Sequence, residues 1–354
     1  MKIAYMPFSP GFTNYAETLL RNLMVKHDIR IFATHELSPS ADQSYLQGFN
    51  ITYGPWSWLD LKELYDFNPD LIIMWNGYAP WTYAAMKWLK KRYPMLHMER
   101  GWLPQKDHLY MADDLAAHSK FIMGIPEVTP TDHNGIEHLR QIYKPSLTDL
   151  TLPEKFIFVP AQLDEDTSIT ISSPLFKTCD SFIGALRHYI PDVPIIVKNH
   201  PVAPNKSRPP NVTLYTGPLS SLDLCAQATV VAGITSTVLT EALVYGKPVA
   251  SFGYNVGMQS HIKGSWCDHL DNRCEESVWS GRSPKLCRSK NRRGEEEVFA
   301  KIRSICLEGA EVSVARPAEK TLSWLLGKQW RPEMPPQWLL DYIETFPTTH
   351  PVTP

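Results

Sequence analysis

The chain comprises 354 residues, 43% of them hydrophobic, with a formal net charge of −2 at pH 7. That length exceeds one average domain and supplies apolar material for two cores, so two domains of similar size are expected. The near-neutral balance excludes a broadly basic binder of nucleic acid or anionic membrane and leaves room only for a local basic patch.

The amino-terminal MKIAYMPF reads as a short strand and lacks the apolar core and small-residue cleavage site of a secretory leader. No run approaches the roughly 20 apolar residues that span a bilayer. With six scattered Cys, these features point to a cytoplasmic protein with reduced thiols and no transmembrane segment. The first half then alternates strand and helix. Lys2–Phe8 is a strand, Asn14–Lys26 carries apolar residues at helical spacing, and Asp28–Thr34 is a second strand. Leu59–Phe67 reads as a short helix leading into the strand Pro69–Trp75, and the helix Ala79–Arg92 precedes the strand Pro94–Gly101. Repeated β-α-β units with short connections imply a parallel sheet covered on both faces.

From about 114 to 153 the pattern fades into Pro, Asp, Thr and Ser, as expected of an interdomain linker, with weak helical periodicity over Gly135–Tyr143. A second series follows. Its strands are Lys155–Gln162, Ile195–His200, Val212–Gly217, Val230–Ile234 and Lys247–Gly253; its helices are Pro174–Tyr189, Ser221–Ala228 and Ser236–Tyr245. Residues 254–294 are polar and irregular, then a charged helix, Glu295–Leu307, and terminal helices Lys320–Leu326 and Gln337–Phe346 are expected. Two successive series of this kind predict two Rossmann-like domains facing each other across a cleft.

Two polar clusters fall just past strand ends, where open α/β sheets bind ligands. In Lys198-Asn199-His200-Pro201 the proline disfavours the helical region for His200. The imidazole then leaves the strand end able to donate to a phosphate oxygen, and Lys198 adds charge; the plain alternative is a solvated His-Pro turn. Ser236 or Thr237 caps the following helix, which Gly246 closes. Free N–H groups and the positive dipole end therefore face the same space. Glu241, acidic among Leu239, Ala242 and Leu243, is placed to accept hydrogen bonds from ribose hydroxyls.

A strand ending in K-x-H-P, followed by S-T-x-x-x-E-A-L-x-x-G-K-P-V, resembles the second domain of GT-B glycosyltransferases. It is most similar to the capsular-polysaccharide biosynthesis group that includes the bacterial Kdo transferases. Bacterial sialyltransferases have a similar His-Pro and Ser-Ser/Thr pair around the donor's cytidine phosphate. The resemblance covers about 155–255 and reaches the first domain only through architecture and Met98–Gln105. It implies an α/β fold of the GT-B type, with two facing Rossmann-like domains, a central cleft and C-terminal helices. Residues 1–150 would be the acceptor side and 151–330 the nucleotide-sugar donor domain, with 331–354 a helix packing back on the first. His200 would contact the donor phosphate, Ser236 and Thr237 would bind it, and Glu241 would hold the nucleoside. Gln162 and Asp166, in the polar loop Val159–Ile169, would join Lys198 among the donor-binding residues. No metal is expected, because basic residues and helix dipoles serve the leaving phosphate in such enzymes.

The attacking hydroxyl needs a base, which the first domain should supply. Glu99 and Asp107 are the candidates, although a Glu–Arg pair at a strand end is as often structural. Asn14 and Trp102, with Arg288 and Arg292 of the basic insert, are candidate acceptor contacts. Cys267, His269, Cys274 and Cys287 have the ligand types of a structural zinc site but match no familiar spacing. The expected activity is transfer of a sugar from a nucleotide-sugar donor to a hydroxyl of a cell-envelope, capsule-type saccharide. The alternatives are glycosylation of DNA carrying 5-hydroxymethylpyrimidines, which the basic insert favours, and a non-catalytic or epimerase-like nucleotide-sugar-binding protein.

Overall fold

A computed structural model of the chain describes residues 1–7, 13–33, 44–53, 61–75, 88–113, 133–145, 149, 151–170, 173, 175–253, 287–309, 322, 325–327 and 329–347. The chain divides into two compact units, Met1–Pro126 with Gly327–Pro354, and Glu127–Leu326. The expected helix Ala79–Arg92 lies largely outside the described residues. Among those residues no helix is long and apolar enough to cross a membrane.

In the first unit, strands β1 (Lys2–Met6), β2 (Asp28–Ala33), β3 (Asn50–Tyr53), β4 (Leu71–Trp75), β5 (Met95–Arg100) and β6 (Leu109–Ala112) form one sheet ordered β3-β2-β1-β4-β5-β6. All neighbours are parallel except β5 and β6. The central strand β4 is buried along its whole length and β1 from Ile3 onward, as strands covered on both faces must be. Helix α1 (Thr13–Met24) turns Thr13, Ala16, Leu19, Leu20 and Leu23 inward at helical spacing. Helix α2 (Lys62–Phe67) buries Leu64 and Phe67 and ends at Asn68 in the left-handed region. Trp330, Leu339 and Ile343 join the core built on Ile3, Tyr5, Leu19 and Leu96, so the C-terminal helix Gln337–Glu344 packs on this unit. Strands β3 and β6 were not expected from sequence: β3 is an edge strand without a buried face, and β6 pairs antiparallel.

In the second unit, β7 (Ile157–Pro160), β8 (Ile195–Lys198), β9 (Thr213–Leu214), β10 (Val230–Gly233) and β11 (Val249–Ser251) form a wholly parallel sheet ordered β11-β10-β7-β8-β9. Among the described residues its helices are α3 (His133–Ile142), α4 (Thr167–Thr170), α5 (Cys179–Tyr189), α6 (Ser221–Gln227), α7 (Thr237–Val244) and α8 (Cys287–Glu308). Helix α8 begins before the expected Glu295, and β9 is shorter than the strand read over 212–217. The segment expected as a linker holds α3, which belongs to this unit. Ile136, Leu139 and Tyr143 are buried, and the Tyr245 hydroxyl donates to the Tyr143 carbonyl. The weak helical periodicity over Gly135–Tyr143 corresponds to the narrow apolar stripe of this helix. Val298, Phe299, Ile302 and Cys306 of α8 complete the core over β7, β8 and β10.

Candidate functional site

The order of the second sheet reverses between β7 and β10. From β7 the chain builds outward through β8 and β9, then returns to build β10 and β11 on the other side. Loops leaving the carboxyl ends of β7 and β10 must therefore diverge, and the crevice between them is where doubly wound sheets take ligands. Gln162, just after β7, spans that crevice. Its Nε2 donates to Thr235 Oγ1 at 3.0 Å and to Ser168 Oγ at 3.2 Å, while its Oε1 accepts the Thr235 N–H at 3.0 Å. Buried Gln162 is thus a brace that fixes the floor of the crevice. Sequence reasoning selected Gln162 but not its partners: Thr235 is 73 positions away, and Ser168, six positions on in the same loop, carries no signal of its own. Asp166 accepts the Ser168 N–H at 2.8 Å and so caps α4 with its carboxylate.

Beyond Thr235 the chain enters α7. Ser236 is its N-cap, with the side chain accepting the Val238 N–H at 3.3 Å. Its carbonyl accepts the Leu239 N–H at 3.1 Å. Thr237, partly exposed, opens the first turn. Gly246, at φ 64°, closes the helix in the left-handed region that disfavours side chains. Gly253 closes the turn from the other side, where its N–H donates to the Ile234 carbonyl at 2.9 Å. A Cβ on Gly253 would stand 2.5 Å from Thr235 Cγ2.

On the far side of β7, β8 ends in Lys198 and delivers His200. Adjacent strands lie about 5 Å apart, so the tips of β8 and β10, which flank β7, are separated by roughly 10 Å. The Val202 N–H donates to His200 Nδ1 at 3.2 Å. The neutral ring therefore carries its proton on Nε2, which is left as a donor. Lys198 is directed elsewhere, with Nζ donating to the Leu219 carbonyl at 2.7 Å. The loop behind His200 is pinned by Arg208, whose side chain is 2% exposed. Its Nε donates to Asn199 Oδ1 at 2.6 Å and its Nη1 to Asp180 Oδ1 at 2.8 Å. The Asn199 amide in turn donates to the carbonyls of Pro204 and Lys206 at 2.9 and 2.7 Å. Lys206 pairs with Asp164. Burial raises the Asp164 carboxyl, but the Lys206 ammonium and the Cys179 N–H outweigh it and hold the group below its ordinary value.

Glu241 is half-buried, and desolvation pushes its carboxyl up to about 7.

The first unit carries a cavity of about 420 Å³ lined by Asn14, Tyr15, Asp107, Arg331, Pro332 and Glu333. Of the candidate residues it brings together Asn14 and Asp107. Glu99 is absent from its lining. Its carboxylate accepts the Arg100 N–H at 2.9 Å, and strand alternation sends its side chain to the face opposite Arg100, whose guanidinium reaches the Tyr15 hydroxyl at 3.0 Å. Trp102 is 5% exposed and stacked on Tyr110, which leaves its ring little surface for a ligand. Beside Asp107, His108 Nδ1 lies 3.2 Å from the Pro104 carbonyl and must carry the proton there. Desolvation outweighs that hydrogen bond and lowers the His108 pKa. The side chains of Arg288, Arg292 and Cys287, and all of Cys267, His269 and Cys274, lie outside the described residues.

Residues 136–257 match the family model described as capsule polysaccharide biosynthesis protein, and the motif-bearing stretch 155–255 falls within that match. Protein FixF of Sinorhizobium fredii (strain NBRC 101917 / NGR234) is 26% identical over 212 residues, 54% of this chain. The chain spans about half the length of that relative, 51%. Among solved structures, the beta Kdo 2,7 transferase of Thermosulfurimonas dismutans KpsC is 19% identical, with a TM-score of 0.48 over 72% of this chain and 80% of that one. The Methanocaldococcus jannaschii UDP-GlcNAc 2-epimerase in complex with UDP-GlcNAc and UDP is 13% identical, with a TM-score of 0.34 over 92% and 99%.

Proposed function

We propose that the chain is a glycosyltransferase that moves a sugar from a cytidine- or uridine-linked donor to a hydroxyl of a capsule-type saccharide. The observation that carries this reading is the Gln162–Thr235 brace across the β7/β10 crevice. It fixes the capped N-terminus of α7 on one side of β7 while Arg208 fixes His200 on the other. The family match over 136–257 encloses all of these residues.

In the proposed complex the donor phosphate lies between His200 Nε2–H and the first N–H groups of α7. The Ser236 and Thr237 hydroxyls complete the seat, and Glu241 accepts the ribose hydroxyls. During transfer the bond from the anomeric carbon to the phosphate oxygen breaks while the acceptor oxygen bonds to that carbon. The negative charge left on the phosphate is met by the imidazole donor and the helix dipole, so the transfer calls for no metal. The acceptor proton passes to a base of the first unit, for which Asp107, which lines the polar cavity, is the candidate over Glu99, which does not.

Calorimetric titration with CMP- and UDP-sugars, followed by mass spectrometry of oligosaccharide products, tests the reading. His200→Ala and Ser236→Ala are each expected to raise the donor Kd at least ten-fold with the fold retained. Wild-type donor affinity in both variants would remove this site.

A further inference from the structure

We propose that the polar cavity of the first unit is a saccharide site, and that Arg331 and Glu333 are its specificity-determining residues. Only the role of that saccharide as acceptor rests on the glycosyltransferase reading. Asn14 and Tyr15 lie on the first turn of α1, which follows β1, and Asp107 follows β5. The cavity therefore stands at the carboxyl edge of a sheet whose order reverses between β1 and β4, the edge at which such sheets take ligands.

Its third wall comes from sequence more than 200 positions away and is firmly anchored. Gln329 Oε1 accepts the N–H groups of Trp102 and Leu103 at 2.8 and 3.0 Å, and its amide donates back to the Leu103 carbonyl. Trp330 and Leu109 exchange backbone hydrogen bonds at 2.8 and 2.9 Å, with the Trp330 side chain in the core. Arg331 follows directly, Pro332 restricts the backbone, and the Met334 N–H turns back to the Arg331 carbonyl at 2.9 Å. Arg331 and Glu333 thus project from a fixed backbone although both side chains are exposed.

The chemistry of the lining selects the ligand class. Arg331 donates, Asp107 and Glu333 accept, and the Asn14 amide does both. Sugar hydroxyls also do both, and a guanidinium or carboxylate can bridge two neighbouring ones. Among the described residues the lining holds two carboxylates and one guanidinium, and the Arg100 guanidinium stands behind it on the Tyr15 hydroxyl at 3.0 Å, so the charges balance. A balanced lining offers no cationic excess to a phosphate backbone, which needs neutralisation to bind, so the cavity favours a saccharide over DNA.

Steady-state transfer to defined oligosaccharides, and in parallel to a duplex containing 5-hydroxymethylcytosine, tests this. Arg331→Ala and Glu333→Gln, both at exposed positions, should each raise the oligosaccharide KM at least ten-fold while the donor KM stays within two-fold. Wild-type oligosaccharide KM in both variants, or transfer to the duplex but to no oligosaccharide, overturns the proposal. Should the wild type turn over no donor, the glycosyltransferase reading falls, and oligosaccharide binding followed by saturation-transfer NMR decides the cavity alone. Signals weakened at least ten-fold in Arg331→Ala sustain the proposal; equal signals, or none with the wild type, overturn it.

Discussion

At the scale of single residues, Glu241 makes the sharpest claim, because its environment and its proposed task oppose each other. Desolvation raises its carboxyl from 4.5 to about 7, so the folded chain holds the proton over a range in which the unfolded chain has lost it. The stabilisation from this group is therefore full below pH 4.5 and is lost as pH rises through 7. At about 1.4 kcal/mol per pKa unit, the loss is on the order of 3 kcal/mol. Glu241→Gln carries no such titration, so urea unfolding at pH 4.5 and pH 8 should show the wild type losing ground to the variant by that amount. Donor binding should run the other way. Ribose hydroxyls donate to the ionised carboxylate, so affinity for a nucleotide-sugar is expected to rise up to ten-fold between pH 6 and pH 8. The glutamine variant should show a flat profile; a pH-independent wild type would take Glu241 out of the donor site.

At the scale of elements, the loop after β8 shows what local sequence reveals and what it hides. The K-x-H-P tip was legible because a proline constrains its predecessor and a strand end exposes the residues just beyond it. The cap at Ser236 and the close at Gly246 were legible for the same reason: the physics lies within one turn. Arg208 gave no such signal. It lies among prolines on a loop, and its function depends on Asn199 and Asp180, which the fold brings to it from 9 and 28 positions away. Edge strand β3 was hidden too, since it shows no apolar run, and the four residues of β6, though apolar, are too few to signal a strand by themselves. The forked contact predicts that Arg208→Lys is not conservative, because an ammonium cannot reach both partners at once. We expect a loss of about 1 kcal/mol in chemical denaturation, since one of the partly buried groups at Asn199 and Asp180 loses its hydrogen bond. A rise of at least ten-fold in donor Kd should accompany it as the His200 tip loosens. Wild-type donor affinity in that variant would show that the loop holds His200 without Arg208.

At the scale of the whole molecule, the chain leaves its first unit, builds the second, and returns with Gly327–Pro354 to finish the first. The returning segment has two tasks, because Trp330, Leu339 and Ile343 fill the core while Arg331 and Glu333 line the cavity. Stability of the first unit and the proposed saccharide recognition are thereby coupled through one segment. Leu339 and Ile343 are fully buried, and truncating each to Ala should cost about 2–5 kcal/mol. The double variant is expected to lower one calorimetric transition and to lose oligosaccharide transfer, while the donor Kd stays within two-fold. A nucleotide-sugar added to the same sample should raise the other transition, since a ligand stabilises only the unit that binds it. A single transition that the substitution lowers and the nucleotide raises would instead mean that the two units unfold together.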